Sequence, residues 1–184
     1  MSTGLVTPHF YTASDHSGWA GAPPEARANL TSLAQVLEVA RARGGVPLRV
    51  TSGYRSRAYN AAVGGSSTSQ HLTGSAADFV PVGVSLAEWA NRVAPSLDPA
   101  SFGQLILYPW TQGHAHLSLP NRASGRRGEL LVEVGRNDYA AWTPGRPFPA
   151  WGSAGNIVQS EREGAAQVDL LLFMLIAAIV IAAI

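Results

Sequence analysis

The chain has 184 residues, a formal net charge of +1 and no Cys. This length suits one domain of ordinary size plus an appendage. The near-zero net charge excludes the broad basic field that nucleic-acid binding needs, so no nucleic-acid partner is expected. The absence of Cys excludes disulfide frameworks and thiolate metal sites, so any metal has to be held by His and carboxylate side chains.

The first half of the chain predicts a long helix. The first 18 residues carry neither the basic region nor the apolar run of a secretory signal, so none is expected. Residues 23–45 open on Pro-Pro-Glu and end with arginines before a Gly-Gly pair, which is typical of a helix start and stop. Apolar positions recur at helical spacing between them, at Leu30, Leu33, Ala34, Leu37 and Ala40.

Several short apolar segments predict the strands of one small sheet. They read VPLRVTS, SAADFVP, GQLILYP, HAHLSLP and GELLVEVG, and the segment GYRSRAYNAAVGGSS between the first two predicts a loop with a short helix. A second helix is predicted over SLAEWANRVAPS, with Ser85 as N-cap and Glu88 completing a capping box. The fold class is therefore α+β, with a small, mainly antiparallel sheet and helices packed on one face.

The C-terminal region differs in composition from the rest. We predict a domain over residues 1–142, a Pro/Gly-rich and polar linker over 143–167, and an apolar helix over 168–184. The run from Leu170 to Ile184 would span about 22 Å as a helix, at about 1.5 Å per residue, against a hydrocarbon core of roughly 30 Å. Two alternatives stay open: a short membrane anchor, or a segment buried in a homo-oligomer or another protein partner. A free helix exposed to water is excluded, because its apolar surface is too large.

Two short segments place His and Asp next to predicted strands. In Ser69–Phe79, His71 lies in a loop of small residues and Asp78 lies inside a short apolar strand. A buried carboxylate is costly unless it is paired or bound to a metal. In HAHLSL, His114 and His116 alternate along a strand, so both rings project from one face of the sheet.

If the two strands are neighbours, His71, Asp78 and His116 can converge as three protein ligands with one open position, the arrangement of a catalytic zinc. The small residues from Gly74 to Ala77 would let the loop pass close to the metal. From spacing alone, the alternative of unrelated structural histidines stays equally open. Tyr108, just upstream, is predicted either in a cleft wall or in the core.

The segment TSGYRSRAYNAAVGGSSTSQHLTGSAADF, followed by HAHLSL, resembles the zinc D-alanyl-D-alanine carboxypeptidase family of peptidoglycan peptidases. The shared pattern combines Ser-Gly-Tyr-Arg-Ser, Ser-Gln-His, Gly-x-Ala-x-Asp and His-x-His. The resemblance covers roughly residues 9–119 and is closest to the phage and bacterial branch with a hedgehog-like fold.

The resemblance implies a role for each matching residue. It makes His71, Asp78 and His116 zinc ligands, and it makes Arg55 the residue that holds a carboxylate or carbonyl oxygen of the substrate. His114 would lie beside the metal and assist catalysis, since a neighbouring imidazole can stabilise an oxyanion or donate a proton. Ser69 is a candidate for substrate binding or for supporting a zinc ligand.

One position departs from the family pattern. Other branches carry an acidic general base three residues before the last ligand, where this chain has Gly113. His114 can cover part of that work, and the identity of the base stays open. Glu88, Asp98 and Glu129 are candidates only because they are carboxylates.

The expected function is zinc-dependent hydrolysis of peptidoglycan stem peptides, as a D,D-carboxypeptidase or endopeptidase acting at the cell wall or periplasm. Without a signal peptide, delivery by a phage is expected, as an endolysin released at lysis or as a virion enzyme whose apolar C-terminal segment sits in a tail. The alternatives are a non-catalytic wall-binding module, as in hedgehog-like domains, and a structural module of a phage tail.

Overall fold

The structure is a computed structural model that describes residues 21–110, 113–121 and 124–152. These residues form an α+β fold with a six-stranded mixed sheet. Two short 3-10 helices lie at Gln70–Thr73 and Ala94–Ser96. In chain order the main elements are α1 (Pro24–Gly44), β1 (Leu48–Ser52), α2 (Arg57–Ala62), β2 (Ala76–Pro81), α3 (Leu86–Val93), β3 (Gln104–Tyr108), β4 (His114–Ser118), β5 (Glu129–Gly135) and β6 (Asp138–Ala141).

Helix α1 follows the prediction closely. Pro23 is its N-cap, and the chain leaves the helix at Gly45, whose φ of 68° is the left-handed conformation that favours glycine. The backbone N–H of Gly45 donates to the carbonyl of Arg41 and closes the last turn. The apolar positions predicted at helical spacing are all buried: Leu30, Leu33, Ala34, Leu37 and Ala40.

Helix α3 begins at the predicted cap and anchors the core. The hydroxyl of Ser85 accepts the backbone N–H of Glu88 at 3.1 Å. Trp89 on this helix is fully buried, and its ring meets that of Phe79 edge to face with centroids 5.2 Å apart. Helices α1 and α3 contact each other and both contact β2, so they cover one face of the sheet.

The strand order of the sheet is β1-β2-β4-β3-β5-β6. Four of the five neighbouring pairs are antiparallel, as predicted, and β3 with β5 is the parallel pair. The connection from β4 to β5 crosses to the other side of β3. Strand β5 therefore pairs with β3 in parallel, and the sheet is mixed. Strand β6 was not predicted from the sequence.

Alternate residues of the central strands face opposite sides of the sheet. Phe79 and Ala115 belong to the hydrophobic core together with residues of α1 and α3. Asp78, His116 and Ile106 lie in register across β2, β4 and β3 on the other face. We call this second surface the open face.

The segment predicted as a linker begins close to the core. Residues 143–152 contain no helix or strand, but Phe148 packs against the core and the indole N–H of Trp142 donates to the carbonyl of Arg146 at 3.1 Å. The remainder of that linker and the predicted helix over 168–184 lie outside the described residues. Within the described ranges, no helix is both long and apolar enough to cross a membrane.

Candidate metal centre

The structure brings the three predicted ligands together on the open face. Asp78 on β2 lies directly opposite His116 on β4, because these strands are antiparallel neighbours in that register. His71 comes from the 3-10 helix Gln70–Thr73, which precedes β2. His71 and His116 are buried. Together with Asp78 they form a group able to hold a metal ion.

The distances between the donor atoms fit zinc. Nε2 of His71 is 3.2 Å from Oδ1 of Asp78, Nδ1 of His116 is 2.9 Å from the same oxygen, and the two ring nitrogens are 3.3 Å apart. Donors bound to zinc at about 2.0–2.1 Å in a tetrahedron lie about 3.3 Å from one another. Two imidazoles and one carboxylate therefore converge at the spacing that a tetrahedral ion needs.

The backbone fixes the orientation of the His71 ring. Nδ1 of His71 lies 2.6 Å from the carbonyl oxygen of Gly53, which assigns the proton to Nδ1 and leaves the lone pair of Nε2 facing Asp78. The carbonyl of His71 accepts the backbone N–H of Arg55 at 3.0 Å. The hydroxyl of Ser69 accepts the backbone N–H of His71 at 3.4 Å and caps the 3-10 helix.

Two of the small residues around the start of β2 have a different environment from the one predicted. Gly74 has a φ of 68°, and a Cβ there would lie 2.5 Å from the carbonyl oxygen of Ala26 on α1. Ala77 is buried in the hydrophobic core, on the face away from the metal ligands. The prediction that these residues are small to clear the metal is therefore wrong for Ala77, which faces the core, while Gly74 has to be small because α1 packs against it.

Arg55 lies beside the ligand group. Its Nη2 is 2.5 Å from Oδ2 of Asp78, the oxygen that does not face the histidines, and its Nε donates to the hydroxyl of Ser52 at 2.8 Å. Its Nη1 makes no hydrogen bond within the described residues. Sequence reasoning missed Ser52 and the carbonyl of Gly53, although both belong to the Ser-Gly-Tyr-Arg-Ser pattern.

The protonation states suit a divalent cation. Burial raises the pKa of Asp78, but the imidazoles of His116 and His71, which lie close to its carboxylate, outweigh it and hold that pKa well below its usual range. Burial lowers the pKa of His116, against the opposing attraction of Asp78. At neutral pH the carboxylate is therefore ionised and the imidazole of His116 is neutral, which are the states that bind metal.

His114 lies on the open face two residues before His116 and is held by an aromatic neighbour. Its ring stacks on Tyr108, with centroids 4.4 Å apart and planes 6° from parallel. Burial lowers the pKa of His114. Its Nδ1 is buried with no hydrogen-bond partner among the described residues.

A groove of about 490 Å³ lies on the open face between His116 and the start of β5. Its lining includes Ser69, Gln104, Ile106, His116, Arg126 and Glu129. Ser69, predicted at the substrate site, therefore both caps the turn that carries His71 and borders this groove.

The three carboxylates considered as general base occupy different places. Glu88 pairs with Arg92 on the exposed side of α3, and Asp98 caps an exposed turn by accepting the backbone N–H of Ala100. Glu129 alone of the three lines the groove. Gly113 has a φ of 61°, so a side chain there would be strained even though the space beside it is open.

Comparison with known families agrees with this geometry. The model of the family described as Peptidase M15 matches residues 10–118. That range contains Arg55 and all three candidate ligands together with His114. No curated protein matches the chain.

Proposed function

Because the chain belongs to the peptidase M15 family, we propose that it hydrolyses peptide bonds in the stem peptides of bacterial peptidoglycan. Peptidases of this family are zinc-dependent metallopeptidases. The observation that carries the proposal is the group of three donor atoms 2.9–3.3 Å apart, one of which belongs to His116 in the lining of a groove. A metal ion and an extended peptide could therefore bind next to each other on one surface.

His71, Asp78 and His116 would hold a zinc ion here, and that ion would supply the Lewis acidity for hydrolysis at neutral pH. Arg55 binds a carboxylate or carbonyl oxygen of the substrate through Nη1, while Ser52 and Asp78 hold its other two nitrogens. His114 presents Nε2 toward the developing oxyanion or the departing amine, with Tyr108 fixing the plane of the ring.

The bond cut is one that involves D-amino acids, either the terminal D-Ala-D-Ala bond or a cross-link between stems. The guanidinium of Arg55 favours the first, because a terminal D-Ala ends in a free carboxylate that such a group binds well. The groove, which is open along the sheet, also has room for the longer chain of a cross-linked stem.

A non-catalytic wall-binding or scaffold module is the alternative function. A purely structural zinc is closed by four protein ligands. The group here offers three, with the guanidinium of Arg55 and the ring of His114 beside it. Those two side chains serve a bound substrate and are not needed to hold a metal, so catalysis is favoured.

We further propose that the protein reaches the wall as part of a phage, either as a virion component or as an enzyme released at lysis. The apolar run over residues 170–184 supports this, since it needs a membrane or a protein partner to cover it. Sedimentation of the full chain with and without detergent tests the idea. A soluble monomer without detergent overturns both the anchor and the partner-buried segment.

Digestion of purified peptidoglycan by the full chain tests the proposed activity. Mass spectrometry of the products, with and without a chelator, identifies the bond. We expect chelator-sensitive release of D-Ala or of uncross-linked stems, lost in His116→Ala and unchanged in Glu88→Ala, which alters an exposed side chain on α3. Stoichiometric zinc without any release would overturn the enzyme and favour the binding module.

A further inference from the structure

The groove continues past the metal ligands to a polar cluster formed by Gln104, Arg126 and Glu129. Gln104 is only 5% exposed, although it is an amide on the open face of β3. A buried amide is retained where its hydrogen bonds are satisfied, and this one is satisfied by two charged side chains. These three residues are called the charged cluster below.

Gln104 holds the two opposite charges apart. Its Oε1 accepts a hydrogen bond from Nη1 of Arg126 at 3.2 Å, and its Nε2 donates to Oε2 of Glu129 at 2.7 Å. Within the described residues, Arg126 and Glu129 form no direct ion pair. Each keeps hydrogen-bonding capacity for a ligand, since a guanidinium has five N–H donors and a carboxylate several acceptor sites.

The charged cluster lies about two residues along β3 from the metal ligands. Ile106 is directly beside His116, and Gln104 is two positions away, which is roughly 7 Å at about 3.4 Å per residue. Arg55 lies on the other side, at β1 and β2. A peptide bound with its scissile carbonyl at the metal ligands and its carboxyl-terminal part at Arg55 therefore extends its acyl side toward the charged cluster.

We infer that the charged cluster is a subsite for a zwitterionic amino-acid head group on the acyl side of the substrate. The carboxylate of that head group pairs with Arg126, and its ammonium pairs with Glu129. The inference rests on the proposed function and specifies its substrate. Among stem peptides, the matching residue is a diamino dicarboxylic acid whose far end carries a free amine and a free carboxylate, whereas a lysine stem carries only the amine.

Two matched substrate sets test the subsite: stem pentapeptides and cross-linked dimers with meso-diaminopimelate or with lysine at the third position. We expect the full chain to prefer diaminopimelate by about 10-fold in kcat/KM, the value of a hydrogen bond to a charged group. Arg126→Gln should remove that preference through KM, leaving the lysine substrates and the zinc content unchanged. Amidating the side-chain carboxylate of diaminopimelate should have the same effect on the unaltered protein.

Arg127→Gln is the matched control, because Arg127 is the exposed neighbour of Arg126 but does not line this groove. It should keep the preference for diaminopimelate. Equal kcat/KM on both substrate sets, with Arg126→Gln without effect, overturns the subsite and leaves the proposed function standing. Failure to cleave either set, with zinc bound, overturns the proposed function and the subsite with it.

Discussion

The two faces of the sheet are formed by the same strands, but one face is apolar and packed in the core and the other carries the candidate metal ligands. On the face covered by α1 and α3, Phe79 and Ala115 are fully buried in an apolar core. On the open face, their chain neighbours Asp78 and His116 hold opposed donor atoms beside a groove. Adjacent residues of a strand face opposite sides of the sheet, so one contributes to the stability of the core and the next to the candidate metal centre. Variants of adjacent residues should therefore affect different properties.

Removing a ligand on the open face should have the largest effect. Asp78→Asn keeps the shape of the side chain but removes its negative charge and replaces one of the two oxygens, which face the histidines and Arg55, by an amide nitrogen. Activity on peptidoglycan should fall by more than the roughly 100-fold typical of losing a supporting residue, and zinc content should fall with it. Glu88→Gln is the control; an Asp78→Asn protein with full zinc and activity would contradict the assignment.

Truncating the residue next to Asp78 should affect stability instead. Phe79→Ala removes a fully buried ring that packs edge to face on Trp89. Its free energy of unfolding should fall by about 3–5 kcal/mol, measured by denaturant titration. Where the variant is still folded, its kcat should match the unaltered protein. A loss of kcat in the folded variant would show that the two faces are coupled.

A smaller effect is expected where the open face meets β1. Ser52→Ala removes the acceptor for Nε of Arg55 and leaves every metal ligand in place. We expect kcat/KM to fall by about 10-fold, with zinc content unchanged. Ser32→Ala on the exposed side of α1 is the control. Lost zinc in Ser52→Ala would mean that Ser52 holds the metal ligands rather than Arg55.

Acidification of the zinc-free protein should give the smallest effect. Burial lowers the pKa of both His116 and His114, so near their usual value of about 6.5 the unfolded chain binds protons that the folded chain does not. Stability is therefore complete above about pH 6.5 and falls as the pH drops toward the lowered pKa values. Thermal unfolding between pH 7.5 and 5 should show a falling Tm. A flat or rising Tm would contradict the two pKa shifts.

Local sequence signals predicted much of this architecture. The helical spacing of apolar residues gave α1, and Ser85 marked the start of α3. The alternation of His114 and His116 in a short strand, with Asp78 inside another, placed Asp78 and His116 together only if the two strands were neighbours, and β2 and β4 do pair. Each of these features depends on residues close together in the chain, where periodicity and capping act.

The features that escaped prediction depend on distant pairings. The parallel alignment of β5 with β3 and the charged cluster across them are set by the path of the chain between β4 and β5, which no local pattern records. The contact of Gly74 with the carbonyl of Ala26 likewise needs α1 to be docked first. The residue types at these positions are visible in the amino-acid sequence, but the distant residues that contact them are not.

The two oxygens of the Asp78 carboxylate have different partners, and this affects which metal ions the site can bind. One oxygen faces the two histidines, while the guanidinium of Arg55 occupies the other at 2.5 Å. A carboxylate so restrained offers a single oxygen, so it cannot chelate an ion through both. Calcium collects six to eight oxygens and magnesium demands an octahedron of them, whereas two nitrogens and one oxygen satisfy a small four-coordinate ion. Because Arg55 occupies one oxygen, we expect the site to discriminate against the abundant hard cations.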